Sequence, residues 1–177
     1  MSFRKTRHED VDAAYGVIEQ AKARIAALGI DQWQNGRPCR EQVAGDAAQG
    51  EGFVIERDGD VVATVMMTDA GEACYDAISG RGWLTSSTSA APRYLTVHRF
   101  AVADAARGQG YAKRLLSHAE AMAAEVGLES VRVDTHPGNA PMRSLLAKCG
   151  YVECGSITLD VDYDEPTLER IGYEKLV

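Results

Sequence analysis

The feature that most constrains this chain is a β-rich run, Tyr94–Val102, that passes through Ala103-Asp104-Ala105-Ala106 into Arg107-Gly108-Gln109-Gly110 and then directly into a helical pattern. Tyr111, Ala112, Leu115, Leu116, Ala119, Met122, Ala123 and Val126 fall on one face of that helix, which the spacing predicts from Gly110 to Gly127. A strand that hands over to an amphipathic helix must pack that helix against a sheet, so the fold class is α/β or α+β. Glycines at the junction let a ligand approach the backbone, and the N–H groups and dipole of a helix start favour an anion. The same glycines also suit a plain strand-to-helix turn that needs positive φ. The loop alone does not separate the two readings.

The rest of the chain supplies the other layers. Residues 2–7 read as a short strand. Asp10 stands as a cap for a helix with apolar positions Val11, Ala14, Tyr15, Ile18, Ala21, Ile25 and Leu28, ending near Gly29. A turn at 31–36 leads to Pro38, which is suited to opening a second helix that runs to about Gly50. The runs 52–57 and 61–67, joined by Asp58-Gly59-Asp60, predict an antiparallel hairpin. The stretch 69–92 is too long for an ordinary connection. Its Tyr75, Ile78, Trp83 and Leu84 predict a functional loop packed on the body. A strand 130–136, the turn Pro137-Gly138-Asn139, a helix 141–149 stopped by Gly150, and β-like stretches at 151–161 and 173–177 complete the order.

Composition narrows the function. At 177 residues, 45% hydrophobic, the chain suffices for one core and one domain. We divide it into helices and hairpin (1–68), loop (69–93), ligand-binding core (94–155) and C-terminal strands (156–177). A net charge of −7 without any long basic block argues against nucleic-acid binding. Four cysteines without a CxxC pair predict reduced thiols, neither disulfides nor a metal site. No long apolar run predicts a membrane span, and the N-terminus carries no export pattern, so a cytoplasmic protein is expected.

Three phosphate-binding readings compete for the glycine loop. A P-loop fails because no Lys-Ser or Lys-Thr follows the last glycine. A dinucleotide fingerprint fails because Lys113 stands at its third glycine and five residues separate the strand from Gly108. The third reading is a resemblance. Arg107-x-x-Gly110-x-Ala112, the preceding strand, the following helix, Ser130–His136, Asn139 and Lys148-Cys149-Gly150-Tyr151 together resemble the GNAT N-acetyltransferase superfamily. The closest match covers roughly 94–155, and the upstream order of elements also agrees.

That resemblance implies a single domain with a mixed, mostly antiparallel sheet, helices on both faces, and splayed fourth and fifth strands. It implies acetyl-CoA as co-substrate and an amine acceptor, either a small molecule or a peptide, in a monomer or homodimer. The backbone of Phe100, Ala101 and Val102 would pair with pantetheine as an added strand. Arg107, Gly108, Gln109, Gly110, Tyr111 and Ala112 would hold the diphosphate, with Lys113 assisting. Asn139 would contact the cofactor arm, although it is equally placed to cap a helix. Trp33, Gln34 and Arg37 would border the acceptor site, with Tyr75, Trp83 and Tyr94 completing its wall, unless these aromatics simply pack. Glu72 and Asp76 would suit a cationic acceptor or a solvated face.

Acetyl transfer needs a neutral amine. A lysine of pKa near 10.4 is neutral only once in a few thousand molecules at pH 7, a cost of about 4.6 kcal/mol, against about 1 kcal/mol for an α-amine. By resemblance Asp134 is the first candidate base, and its alternative is a strand-end carboxylate paired with Arg132 or Arg143. His98 and His136 are further candidates because histidine titrates near neutrality. The family's usual tyrosine acid, four residues before the glycine, is replaced here by Leu146, leaving Tyr151, Tyr111, Ser144 or water. That departure keeps a CoA-binding sensor without turnover as an alternative, with a dinucleotide oxidoreductase behind it.

Overall fold

The computed structural model describes residues 1–160 and 166–177. Its strands are β1 (Ser2–Lys5), β2 (Gly52–Arg57), β3 (Asp60–Thr68), β4 (Ser79–Gly80), β5 (Tyr94–Val102), β6 (Ser130–Thr135), β7 (Val152–Thr158) and β8 (Glu169–Leu176). The helices are α1 (Val11–Ala27), α2 (Arg40–Gln49), α3 (Tyr111–Glu125) and α4 (Ala140–Lys148). One sheet runs in the order β1-β2-β3-β5-β6-β8-β7-β4. Among the described residues, β5 and β6 pair in parallel and the other neighbours are antiparallel. The expected fourth and fifth strands are β5 and β6 in this count.

Alternation along the strands sorts the core into two faces. Val54 and Ala101 meet the apolar stripe of α1, Val11, Ala14, Val17, Ile18 and Ala21, together with Val43 of α2. Phe53, Ile55, Val65, Val97, Val131 and Val133 pack beneath Leu115, Leu116, Ala119 and Ala123 of α3 and Leu146 of α4. Helices therefore cover both faces, as the resemblance implies.

Several local expectations shift. Pro38 does not open the second helix; Cys39 caps it, with its N–H donating to Gln42 Oε1 at 2.9 Å, and α2 starts at Arg40. The hairpin turn is the two residues Asp58 and Gly59, with φ of 56° and 92°, a pair of positive values that matches the twist of the flanking strands. The 151–161 stretch is extended from Val152 to Thr158, and Val161 lies outside the described residues. The final strand begins earlier than expected, at Glu169.

The 69–93 segment packs on the sheet through Tyr75, which joins Tyr94 and Ile157, with Trp83 and Ile78 partly buried against them. Its anchor is a fully buried ion pair. Arg132 and Glu174 face each other across β6 and β8 at 2.9 Å. The guanidinium lies 4.4 Å from the Trp83 ring centre and 3.9 Å from that of Tyr94, and it donates to the Thr85 and Ser87 carbonyls.

A β-bulge lies beside the point where the central strands splay. Thr64 pairs with Ala101 but Met66 with His98, so two residues of β3 oppose three of β5, and Arg99 sits in this bulge with φ of 49°. Parallel pairing of β5 with β6 runs from Tyr94–Ser130 to Val97–Val133. Beyond that point both strands continue apart.

Candidate active site

The divergence of β5 and β6 opens a cleft of about 280 Å³. Val97 and Val133 lie at its base; His98, Arg99 and Phe100 line one side, and Asp134 and Thr135 the other. The α1–α2 connection contributes Gln32, Trp33, Arg37 and Pro38, the 69–93 segment Glu72 and Cys74, and α4 Met142 with its N-cap Asn139.

Two proton-handling arrangements meet in this cleft. His98 Nε2 lies 2.9 Å from Glu72 Oε1. Burial pushes the Glu72 carboxyl up, but the hydrogen bond and charge of His98 and the charge of Arg99 outweigh it, so it ionises below the usual range. Asp134 Oδ1 accepts a 2.7 Å hydrogen bond from the Tyr75 hydroxyl. Burial, reinforced by the charge of Asp134, holds that phenol well above its ordinary pKa, so it remains a donor. The partners expected for Asp134 are engaged elsewhere: Arg132 with Glu174, and Arg143 with Tyr173 and Glu153. Between the two arrangements, Cys74 is a neutral thiol, pushed up to about 12 by burial and by the charges of Asp134, Glu72 and Asp160.

The glycine loop presents bare backbone. The first bond of α3 runs from Arg114 N–H to the Gly110 carbonyl at 3.1 Å; among the described residues no acceptor meets the N–H groups of residues 108–113. Gly108 and Gly110 have φ of 74° and 84°, and no heavy atom lies within 4 Å of the place a Cβ would occupy at either. A diphosphate can therefore approach the amides directly. Arg107 and Lys113 are exposed. The Gln109 side chain serves the loop itself, accepting from Arg57 at 2.6 Å and donating to the Ala105 carbonyl at 2.9 Å. Tyr111 is buried beneath Arg57, and Ala112 is half-buried. On β5, Phe100 faces the cleft, Ala101 is buried against α1, and the Val102 carbonyl accepts from Arg24 at 2.9 Å.

Asn139 caps the helix as expected and also lines the cleft. Its Oδ1 caps α4 at Met142 N–H (3.3 Å), and its Nδ2 donates to Gln32 Oε1 (3.3 Å) at the cleft wall.

Other expected residues lie elsewhere. His136 is a brace: its Nδ1 accepts from Gly138 N–H at 2.9 Å, and its Nε2 lies 3.2 Å from Asp31. Tyr151 belongs to the core beneath α3 and α4. Trp83 and Tyr94, expected on the acceptor wall, instead enclose Arg132, and the Tyr94 hydroxyl accepts from Glu72 N–H at 2.9 Å. Gln34 turns back to the Lys22 and Gln32 carbonyls, so Gln32 takes the wall position. Trp33, in the turn between α1 and α2, has φ of 65°. Asp76 braces Ser89. Leu146 is fully buried; Met142 of α4 and its N-cap Asn139 line the cleft. Glu72, expected either to suit a cationic acceptor or to be solvated, lines the cleft; Cys74 is the main addition, and its only signal was a loop of unexplained length.

The family model of the acetyltransferase (GNAT) family matches residues 17–151. A GNAT-family acetyltransferase from Streptococcus agalactiae 2603 is 32% identical, with a TM-score of 0.86 over 99% of this chain and 95% of that one. One from Listeria monocytogenes 4b F2365 shares the fold at 14% identity, TM-score 0.71, over 99% and 94% of the two chains. The ribosomal-protein-S18-alanine N-acetyltransferase of Escherichia coli does so at 16%, TM-score 0.63, over 99% and 93%. No curated protein sequence matches the chain. A family match over most of the chain, joined to a splayed β5–β6 cleft beside a bare-amide glycine loop, places the protein in the GNAT acetyltransferase family.

Proposed function

We propose that the protein transfers the acetyl group of acetyl-CoA to a primary amine by direct attack within a ternary complex. The observation that carries the reading is the run of amides 108–113, without acceptors among the described residues, beside a cleft that holds His98–Glu72 and Tyr75–Asp134. Acetyl-CoA supplies an acyl group activated as a thioester. The amides of the loop hold its diphosphate, with Arg107 and Lys113 adding positive charge. Phe100 and the open edge of β5 beside it receive the pantetheine arm, and Asn139 borders it. Asp134, steadied by Tyr75, receives the acceptor ammonium. His98, whose Nε2–H is held by the Glu72 carboxylate, takes its proton at Nδ1 or passes it to solvent.

Leu146, an apolar side chain in the core, donates no proton to the departing thiol, which leaves that role to Ser144 or water. A thiol of ordinary pKa near 8.5 departs without needing full protonation, so turnover survives this departure from the family pattern. The four cysteines are all free thiols, which suits a reducing cytoplasm. The Escherichia coli neighbour is named for acetylating an alanine of a ribosomal protein, so amine chemistry occurs on this fold.

The test is release of free thiol from acetyl-CoA in the presence of a panel of amines. Amine-dependent release is expected. CoA binding with no release for any amine would make the protein a CoA sensor, and stabilisation by NAD in place of CoA would return the oxidoreductase reading.

A further inference from the structure

The cleft lining carries charges of both signs on different elements. On the α1–α2 wall stands Arg37, exposed, whose guanidinium has no hydrogen bond or ion pair among the described residues; only its backbone N–H is bonded, to Asn35 Oδ1. The other arginines of the cleft are committed. Arg99 is gripped by both carboxylate oxygens of Asp46, and Arg170 is buried and donates to the Thr167 and Glu169 carbonyls. Next to Arg37, Gln42 has its oxygen engaged by Cys39 N–H, which leaves its amide nitrogen as a second donor. The lining contributed by the 69–93 segment and β6 carries carboxylates: Glu72 at His98 and Asp134 at Tyr75. Trp33, Pro38, Leu159 and Met142 give the space between an apolar lining.

A plain monoamine would satisfy the carboxylates and leave Arg37 uncompensated. A polyamine would set a second cation against Arg37. A peptide N-terminus carries no carboxylate beside its amine. We infer that the acceptor is an amino acid, an amine that also bears a free carboxylate, bound with its ammonium toward Glu72 and Asp134 and its carboxylate on Arg37. A planar guanidinium presents two parallel N–H donors to a carboxylate, so the pairing selects for geometry as well as charge. The inference rests on the acetyl-acceptor reading of the cleft and adds the anionic half of the substrate.

The experiment measures binding to the protein by calorimetry, using leucine, phenylalanine, methionine and the unbranched ω-amino acids of two to six carbons, each beside its decarboxylated amine. At least one acid is expected to bind ten-fold or more tightly than its amine. Arg37→Leu is expected to collapse that margin and Arg37→Lys to recover part of it, with near-UV circular dichroism confirming an intact fold. Amines binding as tightly as acids throughout the panel, or a margin that survives Arg37→Leu, overturns the inference. Thiol release from acetyl-CoA with the same pairs separates the two levels. Release with the amines and not the acids refutes the amino acid acceptor and keeps the acetyltransferase; release with neither series refutes both.

Discussion

Tyr75 is fully buried and its hydroxyl ends 2.7 Å from Asp134, so its hydrogen-bonding capacity is directed at one carboxylate. The ring is held independently, tilted against Trp83 and Tyr94 with centroids at 5.0 and 6.1 Å. Tyr75→Phe therefore removes the hydrogen bond and keeps the packing. A hydrogen bond to a charged group contributes about 1.5–3 kcal/mol, so kcat/KM should fall roughly ten- to hundred-fold with near-UV circular dichroism unchanged. Wild-type kcat/KM in this variant would remove Asp134 from the chemistry. At this scale the sequence resolved part of the site. His98 and Asp134 were legible as polar residues late on neighbouring strands. Tyr94 was not, because it shares a β5 face with His98 and only the reach of the 69–93 segment decides that Tyr94 is covered and His98 open. Gln34 was expected at the cleft by resemblance alone, and nothing in the turn at 31–36 signals that Gln32 takes that place.

The 69–93 segment is the element on which the cleft depends, since it delivers both Glu72 and Tyr75. Its hold on the sheet is concentrated at Glu174, which accepts from Leu84 and Thr85 N–H, Thr85 Oγ1, Ser130 Oγ and Arg132 Nε. Removing one member of a buried ion pair leaves the other charge without compensation, at a cost of about 3–5 kcal/mol, whereas replacing both by apolar groups avoids that penalty. Arg132→Met should lower the urea midpoint and expose the segment's amides to hydrogen exchange. Adding Glu174→Leu should recover part of the midpoint. A double variant less stable than the single would show that the segment's hydrogen bonds to Glu174 matter more than the unpaired charge. The hairpin of β2 and β3 offers a simpler case: Gly59 has φ of 92° with open space around it, so Gly59→Ala should cost about 1 kcal/mol from backbone conformation alone, read as a lower urea midpoint with an unchanged slope. Elements with a strong local signature, such as this hairpin, β5 and α3, were readable from sequence to within a residue or two. The position of the 69–93 segment was not, because it is set by a charge pair between residues 42 apart in the chain.

Across the whole molecule, the titrating groups that folding perturbs limit stability on both sides of neutrality. The Arg4 hydrogen bond holds the Asp10 carboxyl below its ordinary value. Burial pushes Glu174 up, but its bonds to Ser130, Arg132 and Thr85 prevail and hold it low, and Glu72 follows the same balance with His98. A carboxyl whose folded pKa is depressed binds protons more readily when unfolded. Its stabilisation is complete above the unfolded value near 4 and is lost as pH falls through the lower folded value. The opposite flank belongs to groups that folding keeps neutral. Burial pushes Cys74 up to about 12 and Tyr75 well above 10, so the unfolded chain ionises first, and stability fades as pH rises past the ordinary thiol value near 9. The urea midpoint should therefore hold a plateau from about pH 5.5 to 8, fall below about pH 5, and fall again above about pH 9. Two variants assign the flanks: Asp10→Asn should soften the acid decline, and Cys74→Ala the alkaline one. A midpoint that stays level down to pH 4 would show that the unfolded chain holds these carboxyls as ionised as the native one does, and a level alkaline side to pH 10.5 would say the same of the thiol and phenol.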